Sequence, residues 1–230
     1  MTVVSPRFLA ATLAVAAAAT AVAVPTIIAP PAHAQTRTPA PAPATAPALT
    51  GDLLRVQQHL SAMTSLVADF RQTDRSGQVQ TGRLTLKQPG RIRFQYAPGI
   101  PLLIVADGRS LTLIDYELQQ VQRWPIRNSP LSVLIDPTAN LIRYGRLAQG
   151  SGRDVISVEV RDPARPEYGM MTMVFDRDAG APGGLRLYGW VSLDAQGNRT
   201  SIRLSNQRYN VAVADSAFRW RDPRPVGRGR

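Results

Sequence analysis

The feature that most constrains this fold is a two-residue alternation of apolar and polar side chains, which recurs in short segments along most of the chain. Leu84 and Leu86 alternate with polar residues, and Ile92, Phe94 and Tyr96 continue the pattern in the next segment. Successive side chains of a strand point to opposite faces of a sheet, so each segment is predicted as a strand with one buried face. The sequence therefore indicates antiparallel β structure.

Turn signals separate these segments at regular intervals. The dipeptides Pro98-Gly99 and Asp107-Gly108 are typical of tight turns, and the second is a strong hairpin signal. Leu111 and Leu113, after that hairpin, are expected to form the apolar face of the next strand. Four later segments are also predicted as strands: 154–160, 170–175, 185–193 and 200–210. Many short strands with regular turns are typical of an antiparallel barrel or a sandwich, and no repeat of fixed period is visible.

Two regions depart from this alternation and are predicted to be helical. A helix of about four turns is expected to begin at Thr50, because apolar residues then recur at spacings of 3, 4, 3 and 4: Leu53, Val56, Leu60, Met63 and Val67. A second helix is predicted over 129–135, with Ser129 as cap and Pro130 at its first position, and a third over 138–147. The predicted order is a helix, about six strands, one or two short helices and about five strands.

The first 34 residues are typical of a secretory signal. Arg7 precedes an apolar run over 8–24, and Ala32-His33-Ala34 provides a cleavage site. The alternative is a retained membrane anchor, but the run is rich in alanine. Prolines also interrupt any helix of the roughly 20 residues needed to cross a bilayer, at Pro25, Pro30 and Pro31. We therefore expect export from the cytoplasm.

The remaining 196 residues are predicted to form one domain with two flanking segments. Residues 35–49 alternate proline with alanine and are expected to be an extended linker. Residues 50–222 are expected to fold, since an apolar fraction of 44% is ordinary for a globular chain with one core. Residues 223–230 are expected to be a basic disordered tail.

The scarcity of reactive side chains excludes most kinds of catalytic site. The chain has no cysteine, which excludes disulfides, thiolate metal sites and a lipidated cysteine. It has two histidines, of which His33 lies in the signal and His59 is expected at the edge of the first helix. Asp115 and Glu117 imitate a catalytic carboxylate pair, and 176–180 begins like a calcium loop, but both are better explained as turns. We therefore expect no enzyme, no metal and no cofactor.

A formal net charge of +11, carried almost entirely by arginine, indicates an anionic partner. Five arginines crowd the C-terminus: Arg219, Arg221, Arg224, Arg228 and Arg230. Nucleic acid is one class of such partner, but an exported protein seldom meets it, and the chain has no aromatic platform motif. Acidic proteins or anionic lipids are therefore the expected partners.

Apolar side chains are more abundant than a thin two-layer domain needs. Met171, Met173 and Phe175 share one strand face, and residues 131–135 add an apolar helical segment. Flexible methionines are suited to apolar ligands of variable shape. The alternative is a filled core, which the pattern alone favours. Periodicity does not separate the two interpretations.

The order of several local strings resembles the periplasmic outer-membrane lipoprotein carrier family, the LolA-like proteins, over residues 52–222. No single string is decisive, but their order and spacing are moderately specific. They are Phe70-Arg71-Gln72, the stretch 82–90 leading into Ile92-Arg93-Phe94-Gln95-Tyr96, Val105-Ala106-Asp107-Gly108, Asp115-Tyr116, Ser129-Pro130-Leu131, Asp194-Ala195-Gln196-Gly197, and Phe218-Arg219-Trp220 before Pro223.

The resemblance implies a mainly β fold: an unclosed antiparallel half-barrel of about eleven strands, with a small α-helical lid over its concave apolar face. It implies a monomeric periplasmic chaperone that binds the acyl chains of lipoproteins. Such a chaperone takes its cargo from an inner-membrane exporter to an outer-membrane acceptor. Nucleic acid is not an expected partner. The residues expected to line the lipid cavity are Ile92, Phe94, Tyr96, Leu131, Leu134, Met171 and Met173.

One position departs from the family pattern. Members commonly carry an arginine immediately before the proline that Pro89 matches, and the resemblance gives that side chain the role of holding the lid by hydrogen bonds. Here the residue is Gln88, whose amide can still bond to helix carbonyls but without charge assistance. We expect Gln88 to act as a weaker lid latch. The same broad fold also serves a second function, a lipoprotein or lipid sensor in envelope-stress signalling, and this alternative stays open.

Overall fold

The computed structural model describes residues 51–126, 131–135 and 137–225. The predicted signal (1–34), the linker (35–49), the predicted helix starts at Thr50 and Ser129-Pro130, and residues 226–230 of the tail lie outside the described residues. Within the described residues, no helix is long and apolar enough to cross a membrane.

The described elements are eleven strands and three α-helices, in the order that the sequence predicts. The helices are α1 (Gly51–Ala62), α2 (Ser132–Ile135) and α3 (Pro137–Tyr144). The first six strands are β1 (Ser65–Thr73), β2 (Val79–Lys87), β3 (Arg91–Tyr96), β4 (Leu102–Asp107), β5 (Ser110–Asp115) and β6 (Gln120–Pro125). The other five are β7 (Gly145–Leu147), β8 (Val155–Arg161), β9 (Met170–Arg177), β10 (Leu185–Leu193) and β11 (Arg199–Tyr209).

All eleven strands belong to one antiparallel sheet with the order β6-β5-β4-β3-β2-β1-β11-β10-β9-β8-β7. Each neighbour is also a neighbour in sequence except at the centre, where β1 pairs with β11. The end strands β6 and β7 do not pair with each other, so the sheet is not closed into a barrel. The predicted fold class, an unclosed antiparallel sheet of about eleven strands with few small helices, is confirmed.

The main core lies between one face of the sheet and the helices. The strand register aligns Leu84 with Phe94 and Phe94 with Ile104, so these side chains share a face. We call this the concave face. From β10 to β8 it continues through Trp190, Met173 and Val158, which are at most 3% exposed. Apolar side chains from all three helices complete the cluster: Val56 and Leu60 of α1, Val133 and Leu134 of α2, and Leu141 of α3.

A second, smaller apolar cluster lies on the opposite, convex face. It contains Leu103, Val105, Ile114 and Phe218, with Trp220 packed against it. The last two belong to a segment over 211–220 that we call the C-terminal strap, and the strap contains a short 3-10 helix, Asp215–Phe218. Lys87 Nζ and Arg91 Nη1 each lie within 2.7 Å of the Asp215 carboxylate, which ties the strap to the sheet.

The strap makes one strand prediction wrong. Leu111 and Leu113 were expected to form the buried face of β5, but both are only half-buried. The alternating residues Thr112 and Ile114 are 5% and 0% exposed. The reason is that the convex cluster covers Ile114, so β5 is buried more deeply on the side that the alternation predicted to be exposed.

Two predicted helix ends are also wrong. The helix α1 ends at Ala62, and Val67 lies in β1, because the chain pairs with β2 from Ser65 onwards. The third helix ends at Tyr144 rather than at residue 147. Gly145–Leu147 instead forms the edge strand β7, which pairs with β8 and completes the sheet.

Candidate functional site

The predicted cavity residues of the sheet all lie on the concave face. Ile92, Phe94 and Tyr96 of β3 are 0%, 3% and 5% exposed, and Met171 and Met173 of β9 are fully buried. They sit in opposite halves of the sheet, yet they belong to one apolar cluster. The fold therefore brings distant sequence segments together on a single apolar surface.

Aromatic rings form the middle of this surface. The ring of Phe94 lies edge-on to Phe70 and to Trp190, with ring centres 5.5 and 6.2 Å apart. The Tyr96 hydroxyl donates a hydrogen bond to Gln72 Oε1 at 2.9 Å. Burial raises the pKa of Tyr96 to about 12, so this phenol stays neutral and adds no charge to the apolar surface.

The predicted lid residues contact the same cluster from the helical side. Leu134 of α2 is 1% exposed, and Leu131, just before α2, is half-buried against the cluster. The helix α2 has four residues and α3 has eight. Isolated helices shorter than roughly 12–15 residues are marginal in water, so contact with the concave face holds these two in place.

Gln88 joins the end of β2 to the lid. Its side-chain Nε2 donates a hydrogen bond to the backbone carbonyl of Leu134 at 2.8 Å. Its backbone N–H donates to the Thr64 carbonyl, also at 2.8 Å, and the following peptide bond to Pro89 is cis. The Gln88 amide therefore connects the sheet to α2.

The sequence analysis missed part of the concave face. Ile104 and Leu102 of β4, and Ile100 just before β4, are half-buried and pack against the main cluster. The run Leu102–Ala106 is apolar at every position, so it has no alternation from which its inward face could be chosen. Its inward face was nevertheless predictable from the register with Phe94, once β3 and β4 are paired.

His59 is buried, so its predicted position at the helix edge is wrong. The residue is 0% exposed, and its ring lies edge-on to Phe175 and Tyr209, with ring centres 5.6 and 5.7 Å apart. Its Nδ1 lies 2.6 Å from the carbonyl oxygen of Pro182, which only accepts, so Nδ1 carries the proton. Gly183 (φ +64°) lets this loop lie against α1, because a Cβ there would sit 2.8 Å from the His59 Cα.

The burial of His59 predicts a pH-dependent stability. Desolvation lowers the pKa of His59, and the hydrogen bond to Pro182 only partly opposes this. In mild acid the imidazole of the unfolded chain, with a pKa of about 6.5, therefore takes up a proton, whereas the imidazole of the folded chain stays neutral. We expect the free energy of unfolding to be constant above about pH 7. It should fall between about pH 6.5 and the lower folded-state pKa, by at most about 1.4 kcal/mol per pH unit, and then level off.

Urea titrations between pH 5 and 8 measure this effect, with His59→Gln as the matched variant. Glutamine keeps a donor for the Pro182 carbonyl but does not titrate, so its unfolding free energy should not fall in this window. The carboxyl groups with a lowered pKa, Asp74, Asp107, Asp215 and Asp222, lose their stabilising contribution as the pH falls below about 4, which lies outside this window. Equal pH slopes for the two proteins would show that His59 is not the group responsible.

The acidic candidates serve local structure. The Asp115 carboxylate accepts hydrogen bonds from the backbone N–H groups of Glu117 and Leu118, which shapes the β5–β6 turn. Asp176 pairs with Arg186 at 2.9 Å, and Asp178 accepts from Gly180 N–H within the following turn. Among the residues that the structure describes, no three His, Asp or Glu side chains are placed to hold a metal ion.

Comparisons with known proteins agree with this geometry. Residues 61–221 match the family described as outer membrane lipoprotein carrier protein LolA. The outer-membrane lipoprotein carrier protein of Xanthomonas campestris pv. campestris is 32% identical over 160 residues, covering 65% of this chain and 73% of that protein. The carrier protein of the same name from Chromobacterium violaceum is 27% identical over 190 residues, covering 79% of this chain and 88% of that protein.

Solved structures give weaker similarities. A putative outer membrane lipoprotein-sorting protein domain from Vibrio parahaemolyticus is 13% identical with a TM-score of 0.45, covering 72% of this chain and 95% of that chain. The MucA/MucB complex of Pseudomonas aeruginosa contributes a chain that is 19% identical with a TM-score of 0.42, covering 76% of this chain and 62% of that chain. The family match spans well over half of the sequence, and on that basis the chain belongs to the LolA family of outer-membrane lipoprotein carrier proteins.

Proposed function

We propose that this chain is a periplasmic chaperone that binds the acyl chains of lipoproteins on its concave face. It takes them from an inner-membrane exporter and passes them to an outer-membrane acceptor, acting as a monomer and without an enzymatic step. Membership of the carrier family supports a lipoprotein-binding role. The cleavable signal over 1–34, the linker over 35–49 and the folded domain over 50–222 are part of the same proposal.

The observation that carries the proposal is an apolar concave face whose cover consists of short, separate helices. A monomer seldom exposes a large apolar patch, so a carrier must hide this surface when it is empty. The helices do so with Leu134 and Leu141, which insert into the cluster formed by the strands. Cargo that binds only the uncovered face shifts the protein towards an open state, in which the helices have left the concave face. That open state in turn favours the binding of cargo.

The magnitudes suit a reversible carrier. Burial of an acyl chain gives roughly 0.8 kcal/mol per methylene group, or about 11 kcal/mol for a chain of about 14 carbons. Association and ordering cost about 4–15 kcal/mol. The net affinity therefore lies in a range that allows both capture and release. Each methylene that the face fails to cover shifts this balance towards release.

The Gln88 latch gives a prediction about opening. Replacement by alanine removes the hydrogen bond to Leu134, worth about 1 kcal/mol, and should raise the open population about fivefold. Gln88→Arg supplies a charge-assisted donor and should lower it. Amide hydrogen exchange of α2 and α3 measures both changes, since these helices must leave the sheet to exchange. If exchange is the same in all three proteins, the amide contact does not hold the lid.

The test of the function is recovery of cargo. The secreted protein is purified from the periplasm without detergent and analysed by intact-mass spectrometry. We expect acylated lipoprotein to co-purify and to pass to outer-membrane vesicles that contain an acceptor. A non-acylated variant of the same lipoprotein, with its lipidated cysteine replaced by serine, is the matched control and should not co-purify. Recovery of non-lipidated partners alone would favour the sensor function instead.

A further inference from the structure

A groove with several arginines in its lining lies on the convex face, on the other side of the sheet from the cluster that the helices cover. It has a volume of about 630 Å³ and is bounded by β2, β3 and the C-terminal strap. This volume lies within the range of ligand-binding pockets. The lining mixes apolar and polar atoms and carries three arginines and one carboxylate: Arg83, Arg93, Arg219 and Asp69.

Arg93 is a fixed cation in the wall of this groove. Its Nη1 donates hydrogen bonds to the carbonyl oxygens of Ala217 and Arg219 in the strap, at 3.2 and 3.0 Å. The side chain is half-buried, and desolvation lowers its pKa although a contribution from Tyr116 opposes this. In the described parts of the chain, no carboxylate lies within 4.0 Å of this guanidinium. A partly desolvated charge without a counter-ion is costly, so an anion from outside would stabilise it.

Most charged side chains near Arg93 are also positive. Arg83 faces the groove and shares Asp69 with Asn206, with Arg83 Nε 3.5 Å from the carboxylate. Beside them Arg71 of β1 is paired directly with Arg203 of β11, and both are exposed. Like charges directly opposite on neighbouring strands are destabilising, and the contact of the Arg203 guanidinium with the Tyr188 ring, 5.4 Å from its centre, offsets only part of this. A nearby anion would reduce the repulsion further.

We propose that this convex arginine groove binds an acidic segment of a partner protein through its carboxylates. The groove is an open channel lined by both the strands and the strap, so an extended peptide with several carboxylates can follow it. Arginine guanidinium groups bind carboxylates with charge-assisted hydrogen bonds, and Thr85 and Gln95 add polar lining. The proposal is independent of the cargo-binding function, because the two surfaces lie on opposite faces of the sheet.

Binding of a fluorescein-labelled octaglutamate peptide to the full mature chain tests this proposal by fluorescence anisotropy. Arg93→Gln and Arg83→Gln should each weaken binding about tenfold, as loss of a charge-assisted contact predicts. Arg161→Gln removes the same charge from the end of β8, in the other half of the sheet, and should change the affinity less than about twofold. The Arg83 guanidinium pairs with Asp69 of β1, whereas Arg93 bonds to the strap, so Arg83→Gln separates loss of binding from loosening of the strap.

Each other outcome overturns the proposal. Equal weakening by all three variants would mean that octaglutamate follows net charge rather than this groove. Weakening by Arg93→Gln alone, together with a lower melting temperature, would give Arg93 a purely structural role in the strap. Failure of wild type to bind octaglutamate would exclude an acidic segment. If phosphatidylglycerol vesicles bind with the same variant dependence instead, the ligand is a lipid headgroup. Cargo recovery is measured separately, so its failure is distinguishable from failure here.

Discussion

A glutamate at Ile104 is expected to abolish retention of acylated lipoprotein while leaving the protein folded. Ile104 lies on the concave face of β4, opposite Phe94, and is half-buried when the lid is closed. Its carboxylate can therefore remain hydrated in the empty protein. An acyl chain on this surface would bury the charge without a partner, at a cost of about 3 kcal/mol or more, which is roughly a 100-fold loss of affinity. Co-purification and vesicle-transfer assays measure the loss.

The control places the same charge on the other face. Thr81→Glu lies on the convex side of β2, exposed and paired with Arg71, and should retain cargo like the wild type. Phe94 is a poorer target, because it is 3% exposed and packs against two aromatic rings, so a charge there would unfold the protein. Unchanged retention by a folded Ile104→Glu protein would contradict cargo binding on this part of the face.

Gly189→Ala is expected to destabilise the fold by about 3 kcal/mol or more, although it adds only a methyl group. Gly189 follows a bulge between β9 and β10 that places Trp190 on the concave face. A Cβ at this position would overlap the carbonyl oxygen of Ile202 and lie 3.1 Å from the Cα of Arg203. Both are backbone atoms of β11, so relief requires the two strands to separate. Urea denaturation followed by tryptophan fluorescence measures the change.

Gly152→Ala is the matched substitution for this prediction. No heavy atom lies within 4 Å of a Cβ built at Gly152, and its backbone does not need a glycine. The unfolding free energy should therefore stay within about 0.5 kcal/mol of the wild-type value, or rise slightly. If the two alanine variants unfold at the same urea concentration, the close approach at Gly189 does not constrain the sheet.

Much of the sheet could be predicted because the alternation of apolar and polar residues along its strands indicates which side chains are buried. Ile92, Phe94 and Tyr96 alternate with polar residues, and the structure buries all three on one face. The order of six strands, short helices and five strands was also predicted correctly. Local pattern is sufficient here because every pair of adjacent strands in the sheet except β1 and β11 is also consecutive in the sequence.

The remaining features depend on contacts between distant segments. Ile114 is buried by a strap about 100 residues later, and nothing around Ile114 indicates that cover. His59 looks like a polar residue on an amphipathic helix, but Pro182 supplies its hydrogen-bond acceptor and makes burial possible. The convex groove likewise needs Arg83, Arg93 and Arg219, which no local spacing brings together.

Amide hydrogen exchange on the loaded and empty protein tests the displacement of the lid most directly. The account predicts that α2 and α3 exchange faster when an acylated lipoprotein is bound, while β3 and β9 keep or increase their protection. The non-acylated lipoprotein should leave both regions unchanged. If acylated cargo binds while α2 and α3 remain as protected as in the empty protein, cargo does not displace the lid and the concave face is a filled core.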